Sequence, residues 1–116
     1  MNIEEIVNEI DCNLDCFYGG NSIYSGHYQN SNRRIKEYII WTQIGDGEEN
    51  TKNPAADIKI TKKTIKLYTG DKSIDKSWKI DIISLKELNK IIKEINKLLD
   101  KYYSQFKEQP RFIKVN

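Results

Sequence analysis

The sequence predicts an α+β domain: an antiparallel sheet of about four or five strands, a long C-terminal helix across one face, and a short N-terminal helix beside it. Three observations lead to this prediction: strand-like segments rich in β-branched residues, a mirrored segment typical of a hairpin, and a long amphipathic helical pattern near the C-terminus. Since 116 residues suffice for one hydrophobic core, we expect residues 1–116 to form a single domain.

The N-terminal segment 3–17 has the pattern of a short amphipathic helix. Its apolar residues recur at helical spacing: Ile3, Ile6, Val7, Ile10, Leu14 and Phe17. Glu4 and Glu5 lie in the first turn, where acidic groups interact favourably with the positive end of the helix dipole. Gly19 and Gly20 follow, and they predict the end of this helix.

Residues 18–32, YGGNSIYSGHYQNSN, contain no Asp, Glu, Lys or Arg, although charged residues make up 31% of the chain. Tyrosine offers a rigid contact area and Ser, Gly and Asn offer adaptable hydrogen bonds, a composition typical of evolved binding loops. The candidate partner-binding residues here are Tyr18, Tyr24, His27, Tyr28, Arg33 and Arg34. Two alternatives stay open: nucleic-acid bases stack on the tyrosines, or SIYSGHY is an ordinary edge strand.

Residues 34–44, RIKEYIIWTQI, have the composition of a central strand. From Tyr38 to Ile44 the segment is apolar on both alternating faces, so we expect it to be buried on both sides. Residues 45–54, GDGEENTKNP, follow as an acidic, turn-rich loop. Pro54 closes this loop because proline cannot donate a hydrogen bond to a sheet.

Residues 57–68, DIKITKKTIKLY, are nearly palindromic about Lys62 and Lys63. This symmetry predicts a β-hairpin in which Lys59 and Lys66 lie opposite each other on one face. Four apolar residues share the other face: Ile58, Ile60, Ile65 and Leu67. The four lysines are candidates for a cationic ribbon that contacts phosphates or an acidic protein. The alternative is a solvated sheet face that resists aggregation.

The segment SWKIDI, 77–82, predicts a further strand with Trp78, Ile80 and Ile82 on the core side. Ser84 and Glu87 then have the capping-box spacing that begins a helix. We expect this helix to run over 85–107, with an apolar stripe wide enough to pack on a sheet. The stripe consists of Leu85, Leu88, Ile91, Ile92, Ile95, Leu98, Leu99, Tyr102 and Phe106.

We expect the aromatic residues at the end of this helix, Tyr102, Tyr103 and Phe106, to be covered from within the chain. Pro110 ends the helical pattern. The final RFIKV predicts a short strand or a packed tail.

Composition and motifs argue against several classes of function. Cys12 and Cys16 are expected to be free thiols, His27 is the single histidine, and no complete catalytic or metal-binding set surrounds them. We therefore predict a protein that is not an enzyme and holds no metal or cofactor. No apolar run is long enough to cross a membrane and no export signal is present, so we expect a cytoplasmic protein without a membrane partner.

The net charge of +2 is too small to predict nucleic-acid binding by itself. Small size, the abundance of Lys, Ile and Asn expected of an AT-rich genome, and a neutral tyrosine-rich segment make the chain similar in type to small inhibitors carried by phages and mobile elements, including anti-CRISPR proteins. We therefore expect a monomer or homodimer that occludes a surface of a host protein or ribonucleoprotein complex, with a host defence system as the candidate target. The alternative is a small nucleic-acid-binding or regulatory protein that uses the lysine-rich hairpin and the tyrosines.

Overall fold

A computed structural model describes the backbone of residues 1–14, 17–18, 21–31, 34–44 and 55–105, and the side chains of 1–14, 27–31, 34–43 and 55–105. Within these ranges two helices and one antiparallel sheet form an α+β fold, as the sequence predicts. The predicted loop at 45–54, Cys16, Arg33, Phe106, Pro110 and the terminal RFIKV lie outside the described residues.

The N-terminal helix α1 runs over Ile3–Cys12, so it is shorter than the predicted 3–17. It begins with a capping box, in which Asn2 Oδ1 accepts from the Glu5 backbone N–H and Glu5 Oε1 accepts from the Asn2 backbone N–H. Asn13 is the C-cap of this helix. Its side-chain amide donates to the Glu9 carbonyl and takes the place of a backbone N–H donor. Phe17 consequently lies in a strand.

The sheet is a meander in which each strand pairs with its neighbour in sequence. Five main strands are β2 (Asn21–Gln29), β3 (Glu37–Ile44), β4 (Ala55–Thr61), β5 (Thr64–Tyr68) and β6 (Lys76–Lys79), and a two-residue strand β1 (Phe17–Tyr18) pairs with the start of β2. Most of the charge-free segment is therefore a strand at one side of the sheet, next to β3.

The hairpin β4–β5 has the predicted register, with Lys59 opposite Lys66 and Ile60 opposite Ile65. The turn at Lys62 and Lys63 works without the usual Asn-Gly because neither lysine adopts a positive φ. Thr61 holds the turn instead. Its Oγ1 accepts from the backbone N–H of Lys63 at 3.2 Å and of Thr64 at 3.1 Å.

The C-terminal helix α2 runs over Leu85–Ser104, three residues short of the predicted end at 107. Ser84 caps it, since its Oγ accepts from the Glu87 backbone N–H. The helix packs on one face of the sheet and encloses the core with α1. The fully enclosed core includes Ile6, Val7, Ile10, Ile40, Ile58, Ile60, Ile65, Leu67, Leu88, Ile92, Ile95 and Leu99.

Two residues of the predicted core are in fact exposed. Ile82 is 92% exposed because β6 ends at Lys79 and the chain bends before Ser84, so the strand alternation stops and Ile83 is buried instead. Leu85 is also exposed, because it lies in the first turn of α2 beside its cap.

The aromatic end of α2 is covered by the sheet. Tyr103 is completely buried, and its hydroxyl lies 2.6 Å from Thr42 Oγ1 of β3, which in turn donates to the Ala56 carbonyl of β4. Burial raises the pKa of Tyr103 well above that of a free tyrosine. The predicted cover from within the chain is thus confirmed for Tyr102 and Tyr103.

Candidate functional site

The face of the sheet that points away from the helices carries an unusual set of side chains. Because successive residues of a strand point to opposite faces, the neighbours of the core isoleucines lie on this second face. We call it the open face and define it by seven residues: Tyr28, Ile39, Trp41, Asp57, Lys59, Lys66 and Tyr68.

The open face is ordered as two rows that cross the strands. In the first row Trp41 pairs with Asp57, and Asp57 pairs with Tyr68. Neighbouring strands lie about 4.8 Å apart, so the Cα atoms of Trp41 and Tyr68 are about 10 Å from each other. The carboxylate of Asp57 lies between them. The second row consists of Tyr28, Ile39, Lys59 and Lys66, each opposite the next.

Three aromatic side chains of the open face are accessible to solvent. Tyr28 is 51%, Trp41 39% and Tyr68 57% exposed. The residue opposite Trp41 on β2 is Gly26, which has no side chain to cover the indole. The expectation that β3 is buried on both faces is therefore wrong at Trp41, since both helices pack on the other face. Ile39, between Tyr28 and Lys59, is buried.

Five lysines lie in or beside the hairpin that carries Tyr68. Lys59 and Lys66 are directly opposite each other, an arrangement of like charges that destabilises a sheet by a few tenths of a kcal/mol or more. Lys62 and Lys63 follow at the turn of the same hairpin, and Lys79 of β6 lies opposite Thr64. Among the described residues, none of these five lysines has an acidic side chain within ion-pair distance.

Lys59 interacts electrostatically with both Tyr68 and Asp57. The Lys59 ammonium lies 5.6 Å from the centre of the Tyr68 ring, within the range of a cation–π interaction. Burial raises the pKa of Asp57, and the positive charge of Lys59 partly offsets this rise. The carboxylate is thus a half-buried hydrogen-bond acceptor between two aromatic residues.

The structure brings together residues that the sequence assigned to two separate candidate sites. Tyr28 from the charge-free segment lies in the same row as Lys59 and Lys66 from the hairpin, because β3 joins β2 to β4. Lys62 and Lys63 lie at the end of that hairpin.

The other predicted residues are elsewhere or are not described. His27 lies on the opposite face of β2, where its Nδ1 is 2.8 Å from Asp11 Oδ2 of α1. Arg34 is exposed in the bend before β3. Tyr18 and Tyr24 lie in β1 and β2, but their side chains are outside the described set, as is the whole of Arg33.

Sequence reasoning did not select Trp41, Asp57 or Tyr68 as site residues, although it expected Asp57 to neutralise part of the lysine charge. The signal for two of them was present, because Asp57 and Tyr68 are two residues from Lys59 and Lys66 and must share their face. Trp41 was hidden by the apolar character of its neighbours on both sides, which imitates a fully buried strand.

A catalytic or metal site is not evident in the part of the chain that the structure describes. No group of three or more His, Cys, Asp or Glu side chains comes together there, and Cys12 is an exposed free thiol. A cavity of about 570 Å³ beside the hairpin is lined by Lys63, Thr64, Lys79, Ile80 and Asp81. Its described lining thus combines two of the five lysines, Lys63 and Lys79, with one carboxylate, Asp81.

The chain matches no known family model, no curated protein and no solved structure. In the described ranges, neither helix is long and apolar enough to cross a membrane. A functional proposal therefore depends on the residues of the open face.

Proposed function

We propose that this is a non-enzymatic binding protein that acts by covering a surface of a larger macromolecule with its open face. The observation that supports this proposal is the cluster of three solvent-exposed aromatic side chains, Tyr28, Trp41 and Tyr68, on a sheet face that the helices do not cover. Large aromatic residues are enriched among the residues that dominate binding energy at interfaces.

Stability of the sheet is a weaker explanation for this cluster. Cross-strand aromatic pairs stabilise sheets when the two rings are direct neighbours. Tyr28 is opposite Ile39 and gains from such a pair, but Asp57 separates Trp41 from Tyr68. Trp41 and Tyr68 thus leave apolar area in water that a direct aromatic pair would remove, and a binding partner would cover it.

The biological role that we propose for this activity is inhibition of a host complex, in the manner of the small anti-defence proteins of phages and mobile elements. Support comes from the small size of the chain and from the concentration of its distinctive chemistry on one surface. Such a protein blocks its target by occupation, and it needs no catalytic group to do so.

Affinity capture with matched variants tests the proposed function. The protein is immobilised and exposed to a lysate of a low-GC bacterium, and the retained proteins and nucleic acids are both identified. The Tyr28→Ala/Tyr68→Ala variant removes two rings that are more than half exposed. The control is Ile82→Ala/Leu85→Ala, which removes exposed apolar side chains between β6 and α2.

We expect at least one macromolecule of the lysate to bind to the unmodified protein and to the control variant. The same macromolecule should not bind to the tyrosine variant. Circular dichroism establishes that each variant is folded. Equal retention of every captured species by the two variants would show that the open face is not the contact surface.

A further inference from the structure

We infer, building on the proposed function, that the macromolecule bound by the open face is a single-stranded nucleic acid. The open face presents three chemical groups to a partner: flat aromatic rings, lysine ammonium groups and one half-buried carboxylate. A single strand supplies a complement to each of them through its bases, its phosphates and the N–H groups of its bases.

The aromatic rings lie close enough together for bases of one single strand to stack on them. Tyr28 and Trp41 occupy diagonal positions on neighbouring strands, about 7–8 Å apart, and Trp41 and Tyr68 are about 10 Å apart. Bases of an unpaired strand can separate and stack on such rings, and each stacked base strengthens binding by about fivefold or more. Bases inside a duplex are already stacked on each other, so a duplex cannot use these rings.

The lysines favour a polyanion over a neutral protein surface. Covering Lys59 and Lys66 with neutral groups would remove water from two charges that form no ion pair among the described residues, since Asp57 interacts with Lys59 only at longer range. Phosphates along a strand would instead neutralise these lysines together with Lys62, Lys63 and Lys79. An acidic protein surface would satisfy the charges, but it does not offer a series of flat rings for Tyr28, Trp41 and Tyr68.

The carboxylate of Asp57 adds a hydrogen-bond acceptor at the centre of the first row. It lies between Trp41 and Tyr68 in the row, where it would accept from the edge of a base stacked on either ring. Amino and imino N–H groups of the bases donate to carboxylates of this kind. Lys59, now above the Tyr68 ring, would move from the ring to a phosphate as a base takes its place.

Fluorescence anisotropy tests this inference with a labelled 15-nucleotide single strand of mixed sequence, as DNA and as RNA, and with the duplex of the same sequence. We expect the single strand to bind more tightly than the duplex. Tyr68→Ala should weaken binding by about fivefold or more, because it removes one stacked base. Tyr68→Phe keeps the ring and should retain most of the affinity.

The lysines are tested by the salt dependence of the same measurement. Binding to single strands weakens with salt with a log–log slope of about −0.7 per phosphate contact. The combined Lys59→Ala/Lys62→Ala/Lys63→Ala/Lys66→Ala variant removes up to about four phosphate contacts. Its log–log slope should therefore be less negative by up to about 3. The control removes the same charge from exposed positions of α2, as Lys86→Ala/Lys90→Ala/Lys93→Ala/Lys97→Ala, and should leave the slope nearly unchanged.

The outcomes separate this inference from the proposed function. Capture of a protein that depends on Tyr28 and Tyr68 and survives nuclease treatment, together with no binding of the single strand, would overturn the nucleic-acid inference and leave the proposed function in place. Equal binding of single strand and duplex, or equal loss of slope in the two lysine variants, would also overturn the inference. If every captured macromolecule still binds after the open-face substitutions, both the proposed function and the nucleic-acid inference are overturned.

Discussion

The two faces of the sheet are made by alternate residues of the same strands, yet they differ in almost every physical property. On the covered face, Ile58 and Leu67 of the hairpin are opposite each other and fully enclosed under the helices. On the open face, the next pair along, Asp57 and Tyr68, combines a half-buried carboxylate with an exposed ring. The hydrophobic effect explains the first pair completely, whereas it gives no reason for the second.

Stability and the proposed binding are thus assigned to separate residues that lie only one position apart in the same strand. A substitution on the covered face should act on folding, and its neighbour on the open face should act on the partner. Substitutions of two such neighbours should therefore differ most in their effect on the free energy of unfolding.

Ile58 and Lys59 of β4 are the most informative neighbouring pair. Ile58→Ala should lower the free energy of unfolding by about 2–5 kcal/mol, because it leaves a cavity in a completely enclosed site. Lys59→Ala should change it by less than about 0.5 kcal/mol. Urea titration of both variants checks this, and comparable losses would show that the open face also carries the fold.

On the covered face, the buried contact between the hydroxyls of Thr42 and Tyr103 is expected to stabilise the fold. Thr42→Val should lower the free energy of unfolding by about 1–3 kcal/mol, because it leaves the Tyr103 hydroxyl buried without the Thr42 hydroxyl at 2.6 Å. Adding Tyr103→Phe removes that hydroxyl and should restore part of the loss. Additive losses in thermal unfolding of the single and double variants would rule out the coupling.

A smaller effect is expected from Asp57 on the open face. Because burial raises the pKa of Asp57 in the folded protein, the folded state holds this proton more tightly than the unfolded state. Stability is then lost as the pH rises from the unfolded pKa, about 3.9, through the folded one. Asp57→Asn should be slightly more stable than the unmodified protein at pH 7 and equal to it near pH 3. The melting temperatures at the two pH values measure this, and a variant that is less stable at pH 7 would contradict it.

The fold was predictable where the signal is local. Mirror symmetry predicted the register of β4 and β5, and Ser84 with Glu87 predicted the start of α2. The end of α1 was not predictable from apolar spacing, since Leu14 is buried although it follows the helix. Ile82 continued the alternation of SWKIDI in sequence, but the bend before Ser84 removed it from the strand.

The candidate site was predictable only in parts, because it depends on the lateral order of strands. Tyr28 and the hairpin lysines were selected from composition and symmetry, but nothing in their local sequence shows that β3 lies between them and supplies Trp41. The period-2 pattern already placed Asp57 beside the lysines, and it would also have found Tyr68, since both lie on the lysine face of the hairpin. Sites built across several strands therefore need the sheet order as well as the sequence.

If the open face is the contact surface, a bound partner must change the accessibility of Trp41 to solvent. The chain has two tryptophans, so the Trp78→Phe variant leaves Trp41 as the only tryptophan of this chain. Its quenching by acrylamide is measured with and without the captured macromolecule at saturation, after subtraction of the fluorescence of the macromolecule alone. Since Trp41 is 39% exposed in the free protein, we predict that the bound partner shields it and lowers the quenching constant at least twofold. An unchanged quenching constant in the saturated complex would contradict the account, because it would place the partner on another surface.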